Sequence, residues 1–210
     1  MTRGIADRQR LRFFIDHRRE AAASHDLGDL SQPFIAGLEL AADAGVETYV
    51  INHRDYDGRT SFEDGLHEKL IAADVELICL AGFMRLLTEP FISKWQDRII
   101  NVHPSLLPSY KGLNTHERAL ADGVKFTGCT VHFVRPNMDD GPIIAQAVVA
   151  VRPEDDPDTL AVRVLAAEHR CYVFALHLVA RGATRIVHET VKVKGTTPPE
   201  TTLLNPGPKL

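Results

Sequence analysis

"VELICLAGF", residues 75–83, is almost entirely apolar, broken only by Glu76. A strand with one face in water alternates apolar and polar side chains. An unbroken apolar run is the pattern of a parallel strand covered on both faces. Its neighbours extend that reading. "SFEDGLHEKLIAAD" (61–74) upstream is an amphipathic helix with Ser61 as N-cap, and "RIINVH" (98–103) downstream is a second strand after a helix near 88–96. Further out, "AGLELAADAG" (36–45) predicts a short helix stopped by Gly45, and "ETYVINH" (47–53) a strand. Beyond 103 the pattern predicts a helix at 115–122, strands at 129–134 and 142–151, and a hairpin at 184–193. A long helix over 157–180 is opened by Asp156 and Pro157. Strands alternating with helices give an α/β sheet, parallel in its first half with antiparallel strands added later.

The chain has 210 residues, 44% hydrophobic and 25% charged, with net charge −4. That balance provides a core and no basic footprint for a nucleic acid. No run approaches the apolar length of a membrane span, and the start lacks a signal-peptide pattern. Three cysteines without CxxC spacing point to free thiols in a reducing cytoplasm. No two glycines stand closer than five residues, so GxGxxG is absent. "GVKFTGCT" (123–130) has P-loop glycine spacing, but Cys129 stands where the lysine is needed. There is no GxSxG elbow. The His-Glu pairs at His67, His116 and His188 do not continue to HExxH, so zinc catalysis is not expected.

Ligand crevices in such sheets lie beyond the carboxyl ends of the strands. Here those ends are Leu80–Met84 and Asn101–His103. Asn101 and His103 are i and i+2, so they face the same side. They could simply satisfy backbone groups at a strand end. Together they could also hold an oxyanion and move a proton. A carboxylate beside the imidazole would favour its charged form. "NMDDGP" (137–142) offers Asp139 and Asp140 in a turn, and either could serve. Ser105 is better read as a turn cap than as a nucleophile. Met84 and Arg85 in "AGFMRLL" (81–87) could line a flat ligand, or be a core methionine and a surface arginine.

Four stretches together, "LAGFMRLL", "NVHPSLLPSYKGLNTHERAL", "CTVHFVRPNMDDGPIIAQA" and "AAEHR", resemble the phosphoribosylglycinamide formyltransferase family of purine synthesis. The resemblance runs from about residue 37 to 195. It implies a formyltransferase-type, Rossmann-like mixed sheet flanked by helices. It implies a catalytic trio of Asn101, His103 and Asp139, the acid being chosen by its place two residues before the Gly-Pro. The co-substrate it implies is 10-formyltetrahydrofolate, without a metal. Folate contacts fall to Arg59, Met84, Arg85, Leu86, Leu87 and Asn101, with the pterin also against the 136–141 loop. Glu168 lies near the ribose or amine of glycinamide ribonucleotide, a small-molecule substrate. Methionyl-tRNA formyltransferase and formyltetrahydrofolate hydrolase share Asn-x-His and the distal Asp. The GLNTHERAL form favours the glycinamide enzyme.

The family opens with an apolar strand, central in its sheet, and a loop like SGxGSN whose N–H groups take the substrate phosphate. Residues 1–29 here contain neither. The start is Arg-rich, and residues 1–36 form an atypical segment, as a shifted reading frame, a wrong start or real divergence would produce. An inactive or folate-binding remnant is therefore the alternative to a working enzyme. Residues 37–195 are the expected domain, and 196–210 a flexible tail.

Overall fold

Residues 39–81, 83 and 85–206 are described in the computed structural model. They fall into two units, residues 39–100 and residues 101–206. The expected atypical segment 1–36 and the folate residue Met84 lie outside the described residues.

In the first unit, residues 39–43 are helical and the chain leaves the helix at Gly45, at φ 70°. A Cβ there is disfavoured, as is usual where a helix ends left-handed. Helix α1 (Arg59–Ala72) starts earlier than expected, from Gly58 at φ 134° and not from Ser61. Only glycine takes that backbone conformation readily, so the helix opens before the serine can cap it. Phe62, Leu66 and Leu70 of α1 are buried. Strand β1 (Ile78–Leu80) is shorter than the apolar run that predicts it, although Val75 and Leu77 before it are also buried. Helix α2 (Glu89–Lys94) carries Pro90 in its first turn. Its N-terminus is capped from a distance. The carboxylate of Glu63, 2% exposed, accepts from the Thr88 N–H at 2.9 Å and from the Thr88 hydroxyl. The Trp95 indole, fully buried, donates to His67 Nδ1 at 3.1 Å. Strand β2 (Ile99–His103) begins in this unit beside β1 and ends in the second.

The expected strand at 47–53 is not formed. Residues 46–52 have no regular structure and His53–Asp55 is a single 3-10 turn. Tyr49 and Val50 are 43% and 64% exposed. Composition makes this stretch strand-like, but a strand exists only against a partner. No described strand pairs with it.

In the second unit β2, β3 and β4 run side by side. Helix α3 (Thr115–Ala121) precedes β3 (Phe126–Phe133), which begins three residues ahead of the expected Cys129. Strand β3 pairs antiparallel with β4 (Ile143–Ala150), from Phe126 opposite Ala150 to His132 opposite Ile143. The register shifts between Val131 and His132. Gly128 is required by this pairing, since a Cβ there would stand 1.9 Å from the Ala147 carbonyl oxygen. Helix α4 (Pro157–Ala180) has the bounds its sequence predicts. The Asp156 carboxylate accepts from the Thr159 N–H at 2.8 Å, and the Thr159 hydroxyl accepts from the Asp156 N–H at 3.0 Å. This reciprocal cap satisfies two otherwise orphaned donors. Leu160, Val164, Ala175 and Leu178 are buried where α4 packs on β3 and β4. Strands β5 (Thr184–Val187) and β6 (Thr190–Val193) form the expected hairpin through His188 and Glu189, both at positive φ. Beyond it, the Asn205 amide donates to the carbonyls of Lys125 and Val151 at 2.6 and 2.9 Å.

Candidate active site

Asn101 and His103 occupy the last turn of the pleat in β2, and period two puts both on one side. The chain then reverses through a turn with the Ser105 N–H donating to the His103 carbonyl at 2.9 Å. Ser105 is fully buried and its hydroxyl donates to the Ser109 carbonyl at 2.6 Å, so it is the turn residue its position predicts. The turn is fixed to β3 by one side chain. The Thr130 hydroxyl donates to the Ser105 carbonyl at 2.7 Å and accepts from the Leu107 N–H at 3.0 Å and the Gln146 amide at 2.9 Å. A hydroxyl has one proton and two lone pairs, and all are used.

The carboxylate arrives on the turn between β3 and β4. Phe133 N–H donates to the Pro142 carbonyl at 2.9 Å, closing the turn. Gly141 makes that closure possible, because a Cβ there would stand 1.7 Å from the Phe133 carbonyl oxygen. Asp139 is left-handed, at φ 51°, a conformation that Asp tolerates better than most residues. Its Oδ2 stands 3.3 Å from His103 Nδ1 and accepts from the Gly112 N–H at 2.8 Å. The other imidazole nitrogen, Nε2, donates to the Tyr110 carbonyl at 2.8 Å. Both nitrogens of His103 thus face oxygen atoms, which fixes the plane of the ring. Asp140 points elsewhere. It is about half exposed and paired with Lys111, whose hydrogen bond holds its carboxyl below the usual range, aided by Asn137.

His132 is the residue the sequence reading missed. Its Nδ1–H donates to the Phe133 carbonyl at 2.9 Å, so Nε2 keeps its lone pair, 3.5 Å from the Asn101 amide nitrogen and 3.8 Å from Asp139 Oδ1. Burial holds this ring below the ordinary imidazole range. A neutral His132 can accept from Asn101 and orient its amide. No local signal marks it, because the register shift between Val131 and His132 interrupts the period of two that would have placed the ring.

Glu168 lies on α4 in the same unit, and burial pushes its carboxyl up to about 7. Of the expected folate residues, Arg59 is exposed at the start of α1. The Arg85 guanidinium lies 5.3 Å from the centre of the Phe62 ring, Leu86 is 54% exposed and Leu87 is half-buried. All four belong to the first unit. Among the described residues no cluster of His, Cys, Asp and Glu could hold a metal ion. No described helix is long and apolar enough to cross a membrane.

An amide, an imidazole and a carboxylate on one strand end and one turn can stabilise a tetrahedral oxyanion and move a proton. Residues 30–176 match the formyl transferase family model. The chain belongs to the formyl transferase family. It is 51% identical over 152 residues to the trifunctional purine biosynthetic protein adenosine-3 of Gallus gallus, covering 72% of this chain and 15% of that protein. It is 39% identical over 153 residues to the phosphoribosylglycinamide formyltransferase of Escherichia coli K12, covering 73% of this chain and 72% of that protein. Among solved structures it resembles glycinamide ribonucleotide transformylase 1 from Symbiobacterium toebii. The TM-score is 0.73 at 46% identity, over 75% of this chain and 74% of that one. The formyl transferase fold, a mixed sheet of parallel and antiparallel strands flanked by helices, is therefore the fold of this chain. The chain spans only a small part of the trifunctional relatives it matches.

Proposed function

We propose that this chain transfers the formyl group of 10-formyltetrahydrofolate to the amine of glycinamide ribonucleotide, in purine synthesis. The observation that carries this reading is the approach of Asp139 to His103 at 3.3 Å, with Asn101 on the same side of β2. The amine attacks the formyl carbon. Charge gathers on the formyl oxygen, where the Asn101 amide and the His103 imidazole stabilise it by hydrogen bonding. Asp139 orients His103, and His132 orients Asn101. The bond from carbon to the folate nitrogen then breaks as that nitrogen takes a proton.

Arg59, Met84, Arg85, Leu86 and Leu87, with Asn101, are the proposed folate contacts, assigned through the family resemblance. Glu168 is proposed to meet the ribose or the amine of the nucleotide. Its carboxyl, raised by burial to about 7, can donate or accept a hydrogen bond near neutral pH. The transferase domain is proposed to run over 37–195 in a cytoplasmic protein. The test is glycinamide-ribonucleotide-dependent formation of tetrahydrofolate by the purified chain. Wild type should turn over, and His103→Ala should lose activity by at least about 10²-fold. Equal rates in the two proteins would refute the assignment.

A further inference from the structure

The loop that follows the His103 turn takes a strained path. Tyr110 and Asn114 stand at φ 55° and Gly112 at φ 80°, three left-handed positions within five residues. Glycine takes that conformation readily, asparagine less so, and a bulky ring poorly. Such a path persists only where its surroundings over-determine it. The path matters to the site. His103 Nε2 donates to the Tyr110 carbonyl at 2.8 Å, and Asp139 Oδ2 accepts from the Gly112 N–H at 2.8 Å. Both loop partners are main-chain atoms, so their positions follow from whatever fixes the backbone.

Arg118, on α3, reaches back to that backbone. Its Nη1 donates to the Lys111 carbonyl at 2.7 Å and to the Leu113 carbonyl at 3.3 Å, the two residues that flank Gly112. A guanidinium nitrogen of this kind carries two protons, one for each carbonyl. The guanidinium carbon lies 5.4 Å from the centre of the Tyr110 ring, within the range of a cation–π contact. At the end of the same helix the Asp122 carboxylate accepts from the Tyr110 hydroxyl at 3.0 Å. Lys111 pairs with Asp140, which ties the loop to the Asp139 turn but not to a helix.

We propose that Arg118 is a positioning residue for the transfer. It fixes the main chain at 110–113, and through it the acceptor of His103 and the donor to Asp139. Its effect on rate rests on the formyl transfer proposed above; its hold on the loop does not. Without the guanidinium the flanking carbonyls lose their shared donor, the left-handed residues relax, and the Gly112 N–H leaves Asp139. A displacement of about 1 Å between reacting groups can cost about 10²-fold in rate.

The test is Arg118→Met in the whole chain, which keeps length and helix propensity at an exposed position while removing both donated bonds. The kcat for formyl transfer should fall by about 10- to 10²-fold. KM for both substrates should stay within about 3-fold and the melting temperature within about 2 °C of wild type. Amide hydrogen exchange followed by NMR needs no activity. The Gly112 N–H should exchange at least about 10-fold faster in the variant, with the β3–β4 amides unchanged. Arg118→Lys keeps one nitrogen that can donate to both carbonyls and should lie closer to wild type in both readouts. Unchanged kcat and unchanged Gly112 exchange in Arg118→Met would overturn the inference. So would a loss of rate matched by faster exchange throughout β3 and β4, or a lysine variant no better than methionine. A wild type that exchanges as described but transfers no formyl group would refute the proposed function and leave the hold of Arg118 on the loop standing.

Discussion

The two units satisfy their backbones differently. In residues 101–206, β3 and β4 are paired along seven positions, α4 is capped reciprocally, and the turn after His103 is held by a saturated hydroxyl. In residues 39–100, no described strand pairs with the strand-like stretch 47–53, which exposes Val50, and β1 is three residues long. A strand is a property of a pair, and the pairing that orders β3 and β4 has no counterpart among the described strands for 47–53. Asn101, His103, His132 and Asp139 all lie in the second unit.

The sharpest test of that contrast is a rate. Asp139→Asn keeps the size of the side chain and its tolerance of positive φ while removing the charge beside His103. The kcat for formyl transfer should fall by about 10²–10⁴-fold with little change in melting temperature. An unchanged kcat would detach the acid from the chemistry.

Next in size is a pair of glycine substitutions, one in each unit. Gly141→Ala drives a Cβ to 1.7 Å from a backbone oxygen and should destabilise by at least about 3 kcal/mol in urea unfolding. Gly45→Ala meets nothing within 4 Å and bears only the left-handed backbone cost, about 1 kcal/mol. Equal losses would erase the difference between the units.

The pH dependence of stability offers a third test. Burial raises the folded Glu168 carboxyl to about 7, above its unfolded value. The folded chain then holds that proton more tightly. Its contribution to stability is full below the ordinary carboxylate range and is lost as pH rises through about 7. Glu168→Gln removes the dependence, so the variant should overtake wild type in stability above neutral pH, by on the order of 2 kcal/mol. Parallel pH curves for the two proteins would contradict the burial of this group.

The smallest effect is the most telling for the first unit. Val50→Ser, at a residue 64% exposed, should change stability by less than about 0.5 kcal/mol. Val131→Ala, in the fully buried face of β3, should cost about 2 kcal/mol. A cost above 1 kcal/mol at Val50 would mean that 47–53 is paired in solution.

Local chemistry made much of this legible in the sequence. Asp156, Pro157 and the 3.6-residue period define α4 without tertiary help, and α4 has the bounds they predict. Asn101 and His103 stand at a strand end because an apolar run stops there. The misses share one cause, which is that pairing is not written in any single segment. Strand β3 reaches back to Phe126 through Thr127 and Gly128, residues that resemble a loop until β4 is laid beside them. His132 looks like one more member of an alternating strand until the turn bearing Asp139 closes over it. Asp139 and Asp140 are indistinguishable by composition. The backbone at φ 51° and the Lys111 partner separate them.

Thr130 has a consequence for how this site can change over time. Its hydroxyl fastens both ends of the Ser105–Leu107 turn, immediately after His103. The aim of the imidazole is therefore shared between a residue 27 positions further along the chain and the main chain of the loop that follows, where the Tyr110 carbonyl accepts from Nε2 and the Gly112 N–H donates to Asp139. Those loop contacts are made by backbone groups, so a change of side chain there reaches the site only through the main-chain path it keeps or disturbs. The strand end and the loop are two anchors of one ring, and a single hydroxyl on β3 ties down only the first.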